Sequence, residues 1–235
     1  MDVKLKTIRD IPFDPDEGTL LERLRVHPES EDGHALRTLL RRSAERIRPK
    51  AVYTVREVRA RGGDAITIRE VTFRSRLLSR NLAGVERVFP YVATCGVEAD
   101  SADIGQANML EQFWFDHIKE LALATGRRRV REEIGKRFAI PSLASMSPGS
   151  GPQQLWPIEQ QQKLFDLIGD VTGAIGVRLT ESCLMIPNKS VSGFFYPSEV
   201  TFETCRLCDR ENCRGRRAPY DDELAAAYAG DADHG

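Results

Sequence analysis

Three neighbouring cysteines pose the first chemical question. Cys205, Cys208 and Cys213 form a C-x2-C-x4-C run, Cys205-Arg206-Leu207-Cys208-Asp209-Arg210-Glu211-Asn212-Cys213. Thiolates are soft ligands for zinc and iron–sulfur clusters, and short spacings let them converge on one ion. The nearby Arg206, Arg210, Arg214, Arg216 and Arg217 favour thiolates and offset their charge. A tetrahedral site takes four ligands, so the fourth must come from Cys95, Cys183, a histidine, a carboxylate or a small molecule. The five cysteines are odd in number and unevenly spread, which fits reduced thiols better than a disulfide framework. The spacing predicts a metal site, iron–sulfur in preference to zinc. The plainer alternative is a clip of unmetallated thiols on a loose C-terminus.

Two further segments could meet a ligand. Ser145-Met146-Ser147-Pro148-Gly149-Ser150-Gly151-Pro152 is uncharged and rich in small and turn residues. Such a loop lets a polar ligand edge approach the main chain, although a surface connector reads the same way. Between Leu179 and Tyr196, two strand-like runs flank a turn at Pro187-Asn188-Lys189. Ser190, Ser192 and Gly193 are small enough for a cofactor to lie against, although a simple hairpin would also explain them.

Other features are weaker. Arg127, Arg128, Arg129 and Arg131 read as a solvated helix face that could also meet an acidic electron donor. His27, His34, His117 and His234 form no local pair, and His117 reads as a packed residue. There is no Walker loop, dinucleotide glycine motif or nucleophile elbow. Lys+Arg (34) and Asp+Glu (35) balance to −1, which disfavours a nucleic-acid binder; the Arg-rich flank of the cysteines leaves a nucleic-acid zinc module as the least favoured alternative. No stretch is long and apolar enough for a membrane span or a secretory signal, so no membrane partner and a cytoplasmic location are expected.

The elements that must position these residues follow from periodicity. Strands are expected at Val3–Ile8, Ala51–Val55, Ala65–Ile68, Val88–Thr94, Gly176–Leu179, Cys183–Ile186 and Val191–Tyr196. Helices are expected behind Asp14–Gly18, over Ala35–Ile47, from Ser75 to Leu82, from about Ile104 to Phe138 with Gly126 as a break, and after Pro157. Residues 141–153 read as loop, and the end of the chain as a frayed polar tail. Strands and helices do not alternate regularly, so the fold class is α+β. Residues 1–200 form the main domain, with a helical part over 1–50; residues 201–235 form a Cys-rich segment and tail.

One ordered set of motifs resembles a known family. Pro148-Gly149, the Leu164-Phe165 helix, Ile175-Gly176-Val177-Arg178-Leu179-Thr180-Glu181-Ser182, Met185 with Pro187, and Ser190-Val191-Ser192-Gly193 look like the S-adenosylmethionine-binding activation domain of cobalamin-dependent methionine synthase. Upstream, Phe73-Arg74-Ser75, Leu82 and Ala93-Thr94-Cys95-Gly96-Val97-Glu98-Ala99-Asp100 resemble small stand-alone relatives of that domain. The resemblance implies a central twisted antiparallel sheet with flanking helices. It also implies a partner, methionine synthase or another corrinoid protein, that carries the cobalamin and is reductively methylated from its Co(II) state, with flavodoxin or ferredoxin as electron donor. It points to Ser145, Ser147, Pro148, Gly149, Ser190, Ser192, Gly193, Phe195 and Tyr196 as cofactor-binding, and gives the chain no catalytic residue of its own. The family loop reads Arg-Pro-Ala-Pro-Gly-Tyr, so Ser145, Ser147 and Ser150 replace its Arg, Ala and Tyr. A bidentate Arg contact of about 1.5–3 kcal/mol is absent at Ser145, and Lys189 is the substitute expected. An iron–sulfur centre on the cysteines would place the electron relay on this chain.

Overall fold

Side-chain alternation in the strands sets the two faces of the sheet. Phe89, Tyr91 and Ala93 pack on one side with Ala51, Tyr53 and Phe195, whereas Val88 and Val92 pack on the other with Val52, Phe194 and Tyr196. All are buried, so both faces must be covered. The computed structural model describes residues 3–100, 104, 108–151, 155–199, 202–213 and 216–230. Pro152, Gln153, Arg214 and the tail from 231 lie outside the described residues.

The strands are β1 (Val3–Ile8), β2 (Lys50–Gly62), β3 (Ala65–Ile68), β4 (Val71–Arg74), β5 (Arg87–Thr94), β6 (Leu143–Met146), β7 (Arg178–Leu179), β8 (Met185–Ile186) and β9 (Ser190–Pro197). The helices are α1 (Glu17–Leu24), α2 (Glu31–Arg46), α3 (Arg76–Asn81), α4 (Met109–Phe138), α5 (Gln161–Ile168), α6 (Val171–Ile175) and α7 (Asp222–Gly230). Seven strands form one antiparallel sheet in the order β4-β3-β2-β5-β9-β6, with β1 paired to the first half of β2. β7 and β8 make a separate pair.

The C-terminal half of α4 covers one face through Val130 and Ile134. The other face holds the larger core, where Trp156 stacks on Phe194 at 5.2 Å and Phe73 meets both edge-on. Phe202, Leu207 and Tyr228 join that core, so the cysteine segment and α7 pack against the sheet. The N-terminal half of α4 instead packs with α1 and α2 around Leu36, Leu39, Trp114 and Ile118.

Several boundaries differ from expectation. α2 starts at Glu31 because Ser30 caps it, accepting from the Gly33 N–H. α4 runs unbroken through Gly126, which leaves room where the helix passes the Thr94 carbonyl. β4, β6 and α7 were not anticipated: β6 lies inside the expected loop and α7 inside the expected tail. Pro157 caps a short 3-10 turn, and α5 follows only at Gln161.

Candidate functional site

β6 and β9 pair side by side, and the chain leaving β6 builds one wall of a groove. Ser147-Pro148-Gly149-Ser150 is a β-turn in which the Ser150 N–H donates to the Ser147 carbonyl. Proline stands second and Gly149 third with φ +68°, a conformation natural for glycine. The Gly149 N–H donates to the Trp156 carbonyl at 2.9 Å, tying the turn to the core. The facing wall comes from Ser190, Val191 and Ser192 at the start of β9. Ile158 and Gln161 lie between the walls, with Cys183, Leu184, Met185 and Asn188 along the rim, and the cavity measures about 290 Å³.

The expected residues divide into two sets. Ser147, Pro148, Ser190 and Ser192 line this one groove, although more than forty residues separate the two walls in sequence. Gly149 and Gly193 shape it from behind. A Cβ on Gly193 would lie 2.1 Å from the Met146 carbonyl oxygen and 2.9 Å from Ser147 Oγ. Ser145, Phe195 and Tyr196 do not line the groove. Phe195 faces α4 and stacks on Tyr91 at 4.2 Å, while Tyr196 is buried on the opposite face, where burial raises its phenol pKa.

The groove's hydrogen bonding leaves one buried atom without a partner. The Ser190 hydroxyl donates to the Pro187 carbonyl, and the Ser192 hydroxyl donates to Gln161 Oε1 at 2.9 Å. Gln161 Nε2 donates to the Cys183 carbonyl at 2.6 Å, so this buried amide joins floor to rim. Ser147 is only 3% exposed, yet its Oγ has no hydrogen-bond partner. An unsatisfied buried hydroxyl costs about 1–3 kcal/mol, which a ligand could recover.

Gln161 escaped the sequence reading because it sits in the run Gln160-Gln161-Gln162. Helical phase could have singled it out, since it precedes Leu164, Phe165 and Ile168 on one face. Gln161→Met keeps the volume but removes both hydrogen bonds. The expected result is a fold that still melts as a single cooperative unit but is less stable by about 1–3 kcal/mol in urea or thermal melts, since the Ser192 hydroxyl and the Cys183 carbonyl both lose their partner.

The basic run on α4 does not form one solvated face. Arg128 and Arg129 point outward toward Glu132 and Glu133 at 4.0 Å. Arg127 and Arg131, one turn apart, point inward. Arg127 donates to the Tyr91 hydroxyl at 3.1 Å, to Ser145 Oγ at 2.6 Å and to both oxygens of Glu203 at 2.7 and 2.9 Å. Arg131 and Arg217 approach the same carboxylate at 3.9 and 3.1 Å. Burial disfavours the Arg127 charge, but Tyr91 and Glu203 outweigh it and hold the guanidinium more firmly protonated than usual. Ser145 is therefore part of a buried ionic network that clamps the cysteine segment to β6.

That segment also departs from expectation. Among the described residues no three His, Cys, Asp or Glu side chains are grouped to hold a metal, and Cys205, Cys208 and Cys213 are half-buried free thiols. A guanidinium organises the loop instead. Arg216 donates to the carbonyls of Cys205, Cys208, Arg210 and Ala218. Arg206 pairs with Asp221, whose carboxyl also caps α7 through the Leu224 N–H; these contacts hold its pKa below the usual value.

The proposed auxiliary groups lie elsewhere. Cys95 is fully buried in the helical core, and burial pushes its thiol up to about 12. It cannot serve the C-terminal loop as a fourth ligand. Lys189 pairs with Asp116 at 2.9 Å and Glu120 at 3.4 Å. His117 packs on Phe113, and its Nδ1 lies 2.9 Å from the Phe113 carbonyl. No described helix is long and apolar enough to cross a membrane.

A curled antiparallel sheet with helices on both faces and a groove at its β6–β9 edge defines the architecture of this protein. The family described as vitamin B12 dependent methionine synthase, activation domain, matches residues 146–214. Among solved structures, the crystal structure of the MetH reactivation domain bound to AdoHcy superposes with a TM-score of 0.58. It is 15% identical, over 86% of this chain and 81% of that one. No curated protein matches in sequence. The resemblance and fold class read from the sequence are thus borne out: the chain has the reactivation-domain fold, and the matching sequence contains the whole groove.

Proposed function

We propose that the chain is a corrinoid-reactivation module. It holds S-adenosylmethionine in the groove between the Ser147–Ser150 turn and β9. It docks on a partner that carries cobalamin, methionine synthase or a related corrinoid methyltransferase, and supports that cofactor's reductive methylation. The observation carrying this reading is that the groove, with its unpartnered Ser147 hydroxyl, lies within the segment matching the activation-domain family. Ser147 can donate to or accept from the ligand, while the apolar edges of Pro148, Ile158 and Met185 can face a purine. The bound donor supplies the methyl group; this chain's residues bind and orient it. Titration of the full chain with AdoHcy should show saturable one-site binding, and the chain should restore methylation of a Co(II) corrinoid partner when given a reductant. Absence of both would overturn the reading.

The finer reading, an electron relay through an iron–sulfur centre on Cys205, Cys208 and Cys213, is supported only by their spacing. The cationic Arg216 anchor favours its rival, a binding module whose C-terminal segment is a clip and whose electron comes from an external flavodoxin or ferredoxin. Chain purified without oxygen should therefore contain iron and acid-labile sulfide far below cluster stoichiometry. Stoichiometric iron and sulfide, with a visible band that bleaches on reduction, would restore the relay. One zinc per chain would make the clip a metal-held one.

A further inference from the structure

We infer that the groove recognises the nucleoside and sulfur-bearing part of its ligand and makes no charged contact with an amino-acid tail, so that an uncharged adenosine thioether is as good a ligand as AdoHcy. This rests on the proposed function for the location of the site. The argument starts from the lining. Its polar groups are the hydroxyls of Ser147, Ser150, Ser190 and Ser192, the amides of Gln161 and Asn188, and the Cys183 thiol. All are ordinarily neutral, and the other lining side chains are apolar. Among the described residues no Asp, Glu, Lys or Arg lines the groove.

Two cations close to groove residues are committed elsewhere. Lys189 follows Asn188 in sequence, but its ammonium sits between Asp116 and Glu120 on α4. Arg127 reaches the position of Ser145, but its guanidinium is spent on Glu203 and Tyr91. Drawing the carboxylate and ammonium of an amino-acid tail into this lining would leave both without an ionic partner, which is costly. The tail therefore stays in water and contributes no affinity. The neutral groups suit a nucleoside. Hydroxyls and amides match base edges and ribose oxygens, and Asn188, exposed and free of protein partners, offers both donor and acceptor. Pro148, Ile158, Leu184, Met185 and Val191 supply apolar surface for the purine and for the carbons attached to sulfur.

The test is competitive calorimetry of the full chain with AdoHcy and with 5′-methylthioadenosine, which keeps the nucleoside and thioether but lacks the tail. The two dissociation constants should agree within about threefold, and raising salt from about 50 to 500 mM should weaken AdoHcy binding less than twofold. A charged clamp would instead favour AdoHcy by about ten- to a hundredfold and show clear salt dependence. That result overturns the inference and leaves the proposed function standing. AdoHcy binding with no detectable 5′-methylthioadenosine binding does the same. If neither compound binds, the assigned site falls, and the inference falls with it.

Discussion

Arg127→Met is expected to destabilise the protein by about 1.5–3 kcal/mol, because it removes charge-assisted hydrogen bonds to a buried carboxylate. Both side chains are largely shielded, at 14% exposure for Arg127 and 8% for Glu203. The substitution also removes the donor to Tyr91 and Ser145, and the guanidinium 5.3 Å from the Phe195 ring. Arg131 and Arg217 remain near Glu203 but cannot replace the bidentate contact. In urea the midpoint should fall by about 0.5–1 M at unchanged slope. The defect should also be local. Glu203 bridges to Ser145 and carries the segment leading to Cys205 and Cys213, so limited proteolysis should cut earliest at Arg206 or Arg210. A variant as stable as the parent would show that the network does not clamp the segment.

This network also shows where sequence reading stopped. Arg127 and Arg131 are separated from Arg128 and Arg129 only by helical phase, and their partner Glu203 lies far along the chain in a stretch without periodicity. A four-residue spacing between two arginines permits an inward face but does not reveal what lies beneath it. By contrast, the β5 run from Val88 to Thr94 was legible as a buried strand, because a continuous apolar run of that length has to be covered on both faces. β6 was not legible. Leu143-Ala144-Ser145-Met146 is short and sits among Pro, Ser and Gly, and all four residues are buried, so no alternation marks it. Its pairing is fixed by β9 and by the Phe202 carbonyl, both distant in sequence.

The candidate groove was legible in part for the same reason. Ser147, Pro148, Ser190 and Ser192 were reached through motif order, and the fold brings their two segments together. Ser145, Phe195 and Tyr196 were grouped with them by adjacency, but Phe195 faces α4, Tyr196 lies further along β9 in the large core, and Ser145 is bound to Arg127 and Glu203. The cysteines illustrate a further limit. Spacing constrains how closely Cys205, Cys208 and Cys213 can approach, but the loop's carbonyls also need donors. Arg216, only three residues beyond Cys213, supplies them. The same arginines that would stabilise thiolates can thus organise the turn without a metal.

Gly193→Ala is expected to impair ligand binding far more than folding. The new methyl would lie 2.1 Å from the Met146 carbonyl oxygen, well inside contact distance, and 2.9 Å from Ser147 Oγ. The clash is with backbone, so no rotamer change relieves it; β6 or β9 has to move. β9 is held between β5 and β6, whereas β6 ends the strand order, so β6 is the strand that yields. Overpacking of this kind costs about 1–3 kcal/mol, which lowers the melting temperature of a domain this size by several degrees without unfolding it. The groove has no such tolerance, because Ser147 follows directly on Met146 and the Pro148–Gly149 turn moves with it. Displacing Ser147 by about 1 Å would misplace the unpartnered hydroxyl and the wall that faces Ser192. With AdoHcy held in the groove as proposed, its affinity should then fall at least tenfold in calorimetry run well below the melting temperature, where the variant is fully folded. Ser192→Ala at the next position removes a hydrogen bond but introduces no clash, and should lose less. If Gly193→Ala melts lower yet binds AdoHcy as tightly as the parent, the ligand does not use the wall built by β6.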